Sequence, residues 1–126
     1  MTSPLQQRLE TEAKAFQALQ KDSSKMSQSY SKLLAQHNEN NMVLSELKLL
    51  DDTDAKVYKL VGPVLLNQDL DEAKSVVEKR LQYITDEMKR TQSHMADLEK
   101  RMEEKKSKIM QIQAQAQQAK QAAQAK

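Results

Sequence analysis

The fold is decided by KVYKLVGPVLLNQ, residues 56–68. This stretch contains the chain's only glycine, Gly62, and one of its two prolines, Pro63. On either side of that pair lie short runs, 56–60 and 64–66, rich in valine, tyrosine and leucine. Valine and tyrosine are favoured in strands, and two such runs separated by Gly and Pro predict a β-hairpin.

The loop of this hairpin is expected to be slightly longer than the tightest turn. A two-residue turn centred on Val61 and Gly62 would need the backbone N–H of Pro63 for its closing hydrogen bond, and proline has none. An alternative is that residues 56–66 form only a linker between helices. Linkers are usually polar, whereas this segment is mostly apolar, so its composition favours the hairpin.

The segments on either side of the hairpin each carry apolar residues at alternating spacings of three and four. In the first segment, about 4–51, this seam comprises Leu5, Leu9, Glu12, Phe16, Leu19, Ser23, Met26, Tyr30, Leu33, His37, Asn40, Leu44 and Leu47. In the second, about 67–115, it comprises Leu70, Lys74, Val77, Leu81, Ile84, Met88, Thr91, Met95, Leu98, Met102, Lys105, Ile109 and Ile112. The phase does not shift in either segment, which predicts two long coiled-coil helices.

Local signals predict where these helices begin and end. Ser3, Pro4 and Gln6 form a possible capping box with proline at the first helical position. Asn67 is expected to cap the second helix, whose first turn is acidic. Residues 113–126 are almost only Gln and Ala with two lysines and have no apolar stripe beyond alanine. We expect them to form an overhanging, fraying helix or tail.

The two helices are expected to pack antiparallel because only a short segment joins them. One register brings polar seam residues of one helix to polar residues of the other, which avoids leaving them against apolar partners. Its predicted pairs are Leu44 with Leu70, Asn40 with Lys74, Ser23 with Thr91, and Glu12 within about one layer of Lys105. Away from the seam, Asp86 is expected to pair with Arg90 at the favourable i,i+4 spacing.

Composition restricts the class of protein. In 126 residues, only 38% are hydrophobic and 3% aromatic, so the apolar side chains can form a narrow seam but no thick core. The 20 basic and 18 acidic residues nearly balance, which predicts no nucleic-acid or membrane partner. The chain has no cysteine, no long apolar run and no signal-peptide pattern. These features predict a soluble intracellular protein.

No arrangement of residues predicts catalysis, a metal or a cofactor. His37 lies on the seam and His94 beside it, far apart and without cysteine, so packed or solvated histidines are expected rather than metal ligands. Carboxylates on a two-helix arm have no cavity to hold them as a pair. One glycine cannot form a glycine-rich phosphate loop, and the mixed charges of residues 99–106 indicate a solvated helix face.

The predicted hairpin needs partners from other chains. A two-stranded hairpin is marginally stable alone, and its edges and apolar faces would be left bare. Two slender helices cannot cover both faces. We therefore expect the hairpins of several chains to pair into a shared sheet or barrel, with coiled-coil arms projecting from it. The predicted fold is mainly α: an antiparallel two-helix coiled coil, joined by one short β-hairpin, whose hairpins assemble into a β-barrel platform.

Residues 39–90, ENNMVLSELKLLDDTDAKVYKLVGPVLLNQDLDEAKSVVEKRLQYITDEMKR, resemble the β-type subunits of the prefoldin family. The most specific parts are VYKLVGPVLL and the following EA and KRLQYI, and the similarity covers essentially the whole chain as one domain, 1–126. A single hairpin fits the β type, since α-type subunits carry two. The resemblance implies a cytoplasmic, ATP-independent chaperone hexamer of two α-type and four β-type subunits. It holds non-native actin and tubulin at its arm tips and passes them to the cytosolic chaperonin.

The resemblance also implies roles for particular residues. Those expected in the assembly barrel are Val57, Tyr58, Leu60, Val61, Gly62, Val64, Leu65 and Leu66. Those expected to contact clients near the open end of the arm are Leu5, Leu9, Met102, Ile109, Met110 and Ile112. Glu12 and Lys105 interrupt the seam there, so loose local pairing is expected. A competing interpretation is a structural coiled-coil tether, a scaffold subunit of a related prefoldin-like complex.

Overall fold

The computed structural model describes residues 3–50, 57–61 and 64–124. In chain order the elements are α1 (Pro4–Leu49), β1 (Val57–Val61), β2 (Val64–Gln68) and α2 (Leu70–Gln124). The prediction of a mainly helical chain built on two long helices is confirmed. The chain divides into a terminal unit, residues 1–28 with 92–126, and a central unit, residues 29–91.

The first helix begins with the predicted capping box. The Ser3 N–H donates to Gln6 Oε1 at 3.3 Å, and the Gln6 N–H donates to Ser3 Oγ at 3.2 Å. The Ser3 carbonyl accepts from the Gln7 N–H at 3.0 Å, which is the first bond of the helix. Two N–H groups that a helix start would leave without acceptors are thereby satisfied, and α1 follows directly at Pro4.

The two strands pair antiparallel in a two-stranded sheet. Val57 is the partner of Gln68 at one end, and Val61 is the partner of Val64 at the other. The expected loop between the strands falls on residues that the structure does not describe, so its length stays a prediction. Lys56, Gly62 and Pro63 lie outside the described residues.

The second helix begins later and ends later than predicted. Asn67 does not cap it: it is the strand partner of Tyr58 in β2. Asp69 precedes the helix, and its carbonyl accepts the Ala73 N–H at 2.9 Å. Local propensity alone predicts Asn67 to be a helix cap, but strand pairing includes it in β2. At its other end α2 continues to Gln124, beyond the expected limit near residue 115, because Gln and Ala favour helix without an apolar partner.

The predicted seam is the protected stripe of both helices. Every seam position given above is buried or half-buried, in the terminal unit and in the central unit alike. In the central unit Leu44, Leu47, Ala73 and Val77 form a buried cluster, with Leu70 and Leu81 packed against it. Among the described residues no side chain is completely withdrawn from solvent. The apolar material therefore forms a narrow seam rather than a thick core, as composition predicts.

Contacts within each unit bear on two of the four predicted seam pairs. In the terminal unit Glu12 contacts Lys105, while Ser23 lies beside Met95 and Glu99, so the two helical segments run antiparallel there. In the central unit Leu44 and Leu70 belong to the same cluster. The predicted approach of Glu12 to Lys105 is confirmed.

Two polar seam residues, Asn40 and Thr91, donate hydrogen bonds to their own helices. Asn40 Nδ2 donates to the Gln36 carbonyl at 2.8 Å, and Thr91 Oγ1 donates to the Glu87 carbonyl at 2.8 Å. A side chain that hydrogen-bonds to the backbone of its own helix in this way does not require a polar partner on the facing helix. The predicted Asp86–Arg90 pair is wrong in detail: Arg90 Nη1 lies 3.0 Å from Glu87 Oε1.

Candidate functional site

The terminal unit holds one charged pair in its otherwise mostly apolar seam. Glu12 Oε2 on α1 lies 2.8 Å from Lys105 Nζ on α2. Both side chains are largely shielded, and Glu12 Oε2 has no contact with solvent. The distance is that of a charge-assisted hydrogen bond, while the angles depart from regular geometry. The attraction between opposite charges does not depend on those angles, so we describe the contact as an ion pair.

The charges around Glu12 favour its ionised form. Hydrogen bonding with the Lys105 ammonium does most to lower the pKa of the Glu12 carboxyl. Partial burial acts in the opposite direction, and the positive charges of Lys105, Lys108 and Arg8 add to the lowering. The expected interruption of the seam is thus a matched pair, which joins the helices at this layer instead of loosening them.

Of the six residues expected to contact clients, five belong to the protected stripe. Leu5, Leu9, Met102 and Ile109 are half-buried, and Ile112 is only 3% exposed. Met110 alone is open, at 60% exposure. Met110 can meet a partner as it stands, whereas the five seam residues would have to separate from their neighbours first.

Two of the seam methionines line a shallow depression in the terminal unit. Met95 and Met102 are half-buried, and they share this depression with Ser23, Gln92, Ala96 and Glu99. Methionine is flexible and fits irregular surroundings, so these two side chains can fill the seam between polar neighbours. Their half-buried positions make Met95 and Met102 packing residues of the seam.

The residues expected in the assembly barrel fall on β1 and β2, apart from Gly62, which lies outside the described residues. The structure describes the backbone of these strands and not their side chains. As a two-stranded sheet, β1 and β2 each have one edge that the other strand does not occupy. An unpaired edge offers backbone N–H and carbonyl groups to a further strand.

A second group of apolar residues lies outside the predicted heptad seam and is exposed. Of the large apolar side chains that the structure shows as exposed, all but Met110 lie in the central unit: Leu34, Met42, Val43, Leu49, Leu50, Val76 and Tyr83. Met42 and Leu49 are the most open aliphatic side chains among them, at 65% and 82%. The sequence does contain a signal for them, namely apolar residues at helix positions outside the predicted seam.

Other candidate chemistry has no support in the part of the chain that the structure describes. No group of three or more His, Cys, Asp or Glu side chains could hold a metal ion there. His37 is half-buried on the seam and His94 is exposed. Within the same residues, neither helix has a stretch apolar enough to span a bilayer.

Two features define the class to which this chain belongs: two long helices that each carry a stripe of protected residues, and a pair of short strands between them. The family model described as prefoldin subunit matches residues 10–124. The chain therefore belongs to the prefoldin family.

Curated relatives narrow the similarity to one subunit type. The chain is 46% identical over 119 residues to prefoldin subunit 6 of Mus musculus, covering 94% of this chain and 93% of that protein. It is equally similar, 46% over 119 residues, to prefoldin subunit 6 of Homo sapiens, with 94% and 92% covered. Prefoldin subunit 6 of Arabidopsis thaliana is 45% identical over 109 residues, covering 86% of this chain and 84% of that protein. The resemblance to prefoldin subunits is confirmed.

Among solved structures, the chain is similar to the prefoldin beta subunit from Thermococcus strain KS-1. The TM-score is 0.78, with 82% of this chain and 90% of that chain covered. At 19% sequence identity this likeness concerns the fold alone.

Proposed function

We propose that this chain is a subunit of a hetero-hexameric, ATP-independent molecular chaperone. The complex captures unfolded or nascent proteins, with actin and tubulin the expected clients, and delivers them to the cytosolic chaperonin. The chain acts in the cytoplasm, has no enzymatic activity, and binds neither nucleic acid nor membranes. The observation that carries this proposal is 46% identity to prefoldin subunit 6 over nearly the whole of both chains.

Client capture is assigned to the tips of the coiled-coil arms. Met110 presents an exposed, adaptable side chain, and Leu5, Leu9 and Ile109 lie on a seam bordered by solvent. Separating a short length of that seam offers the apolar side chains to an unfolded client. Each such contact is weak, and several arms acting on one client multiply the weak contacts through effective concentration.

Assembly is assigned to the strand pair. The unpaired edges of β1 and β2 add to strands of neighbouring subunits, so that the pairs close into a β-barrel platform. Closure removes every open edge, which is the general solution for sheets whose edges would otherwise aggregate. The residues proposed for this role are Val57, Tyr58, Leu60, Val61, Gly62, Val64, Leu65 and Leu66.

The alternative function is a structural scaffold subunit of a related prefoldin-like complex. The same strands would join subunits, and the helices would serve as spacers without binding clients. A test of aggregation separates the two functions. The purified assembly should suppress aggregation of unfolded actin in the absence of ATP, and an assembly that leaves light scattering unchanged would favour the scaffold.

A truncation tests the assignment of client binding to the tips. Deleting residues 1–10 and 108–126 removes Leu5, Leu9, Ile109, Met110 and Ile112 and should leave the hexamer intact while weakening actin capture. The matched control deletes residues 119–126 only, which retains all of these side chains. Normal capture by the longer truncation would place client binding elsewhere.

A substitution tests the assignment of assembly to the strands. Val57→Asp or Leu65→Asp places a charge in the proposed barrel and should release a helical monomer, measured by analytical ultracentrifugation and circular dichroism. The control is Met110→Asp in the terminal unit, which should leave assembly unchanged. Hexamers that form normally with aspartate at both strand positions would contradict the assignment.

A further inference from the structure

The outer side of α1 near its carboxyl end carries an apolar face that the seam does not use. Met42 lies two residues before the buried Leu44, and Leu49 lies two residues after the buried Leu47. At about 100° per residue, two residues turn the helix by about 200°, so both side chains point away from the seam. They are seven residues apart and therefore lie on one side of the helix. We call this the Met42–Leu49 face.

The part of α1 that leads up to Met42 is poor in charge. In the stretch LLAQHNENNMVLS, residues 33–45, Glu39 is the sole Asp, Glu, Lys or Arg, in a chain of which 30% of the residues are charged. Around Met42 the surface forms a shallow depression lined by Asn38, Asn41, Ser45 and Glu46. Exposed apolar side chains with few charges around them are typical of the centre of a protein–protein interface.

The other exposed apolar pair of the central unit differs in this respect. Val76 and Tyr83 on α2 are also seven residues apart, but Lys79 and Arg80 lie between them. Lys79, Arg80 and Tyr83 line a depression together. Two positive charges would have to lose water for this surface to be buried, which is costly without acidic partners. The Met42–Leu49 face has one charged residue, Glu46, between its two apolar residues, and the other position there is the uncharged Ser45.

The chain limits the distance between this face and the strands. Residues 50–56 join the end of α1 to Val57, and even fully extended they span at most about 28 Å. A protein that pairs with β1 is therefore within reach of the end of α1. The strands contribute ten residues between them, whereas a stable interface usually uses about 20–30 residues on each side. Further contact area must come from flanking segments.

We propose that the Met42–Leu49 face packs against a neighbouring prefoldin subunit in the assembled complex. Its occupant is an apolar segment of that neighbour, and it extends the contact made by the strands onto α1. The inference rests on the proposed function, because it requires the assembly. It adds a second assembly surface, outside the hairpin.

A matched pair of substitutions tests this interface. Met42→Lys and Met110→Lys make the same change at nearly equal exposures, 65% and 60%, one on the face and one in the terminal unit. The double variant Met42→Lys/Leu49→Lys introduces a positive charge at both positions of the face. A positive charge near the carboxyl end of a helix interacts favourably with the helix dipole. Each variant is assembled with the other subunits and diluted, and native mass spectrometry measures the intact fraction.

Met42→Lys/Leu49→Lys should raise the concentration at which the complex dissociates by about tenfold or more, equivalent to about 1.4 kcal/mol. Met110→Lys should leave that concentration unchanged. Circular dichroism checks the helices, and if the lysine variant loses helix, Met42→Gln/Leu49→Gln is measured instead. Gln is a good helix former that still removes the apolar contact.

Three results would overturn the inference. The first is a double variant that dissociates at the wild-type concentration. The second is unchanged dissociation with reduced actin capture, which would make the face a client surface. The third is self-association of the isolated wild-type chain that the double variant abolishes, which would make the occupant a second copy. If the wild-type complex does not suppress aggregation, the proposed chaperone function is wrong. The dissociation measurement tests the proposed Met42–Leu49 interface independently of that result.

Discussion

Leu98 offers a quantitative test of the seam in the terminal unit. Its side chain is only 3% exposed, between the half-buried Met95 and Met102 on the same helix. Leu98→Ala removes three carbon groups, each worth about 0.8 kcal/mol when buried, so the lost burial alone is about 2.4 kcal/mol. A residual cavity adds to this loss, and the flexible methionines reduce the cavity by moving into it. The free energy of unfolding should therefore fall by about 2–3 kcal/mol.

The assay is urea unfolding of the purified chain, followed by the helical circular dichroism signal. With an m-value of about 1.5 kcal/mol per molar, the midpoint should fall by about 1.3–2 M. Leu49→Ala is the matched control, since it makes the same chemical change at a position that is 82% exposed. It should alter stability by no more than about 0.5 kcal/mol. Equal shifts for the two variants would refute the seam as the source of stability.

Two further predictions concern the terminal unit. Because the pKa of Glu12 is lowered in the folded chain, the stabilisation from its pairing with Lys105 is present above the ordinary glutamate pKa. It is lost as the pH falls through the lowered value. The difference in urea midpoint between wild type and Glu12→Gln should thus vanish in acid, and an undiminished difference at about pH 2 would contradict the ion pair. Ser3→Ala should cost about 1 kcal/mol and speed amide hydrogen exchange in the first turn, whereas Ser3→Asn should not.

Every seam position predicted from the sequence is protected in the structure, because a heptad is a repeating constraint, although Ala73 is buried outside the predicted series. A change of phase at any point would turn apolar residues to solvent, so the whole series fixes which side of each helix is protected. Leu5 at one end of α1 and Leu47 near the other fall on the same predicted stripe, and both are protected in the structure. The capping box is also predicted correctly, since its residues interact only with one another.

Features that depend on competing partners were predicted less well. Asn67 is a good helix cap by local criteria, yet its pairing with Tyr58 extends β2 past it. Arg90 can reach an acid three or four residues earlier on its helix, and side-chain geometry selects Glu87 over Asp86. The Met42–Leu49 face was missed for another reason: the seam pattern assigns every other position to solvent, and it does not predict which of those positions bind partners.

The lack of any completely buried side chain among the described residues has a consequence for how the chain moves. In a globular domain, the most deeply buried groups meet water only in large cooperative openings. Here each layer of the seam already borders water, so one layer can open and close at the cost of its own contacts while layers elsewhere stay shut. Motion of this kind is local and frequent, and amide exchange would show it as many small openings of different free energy instead of one shared event.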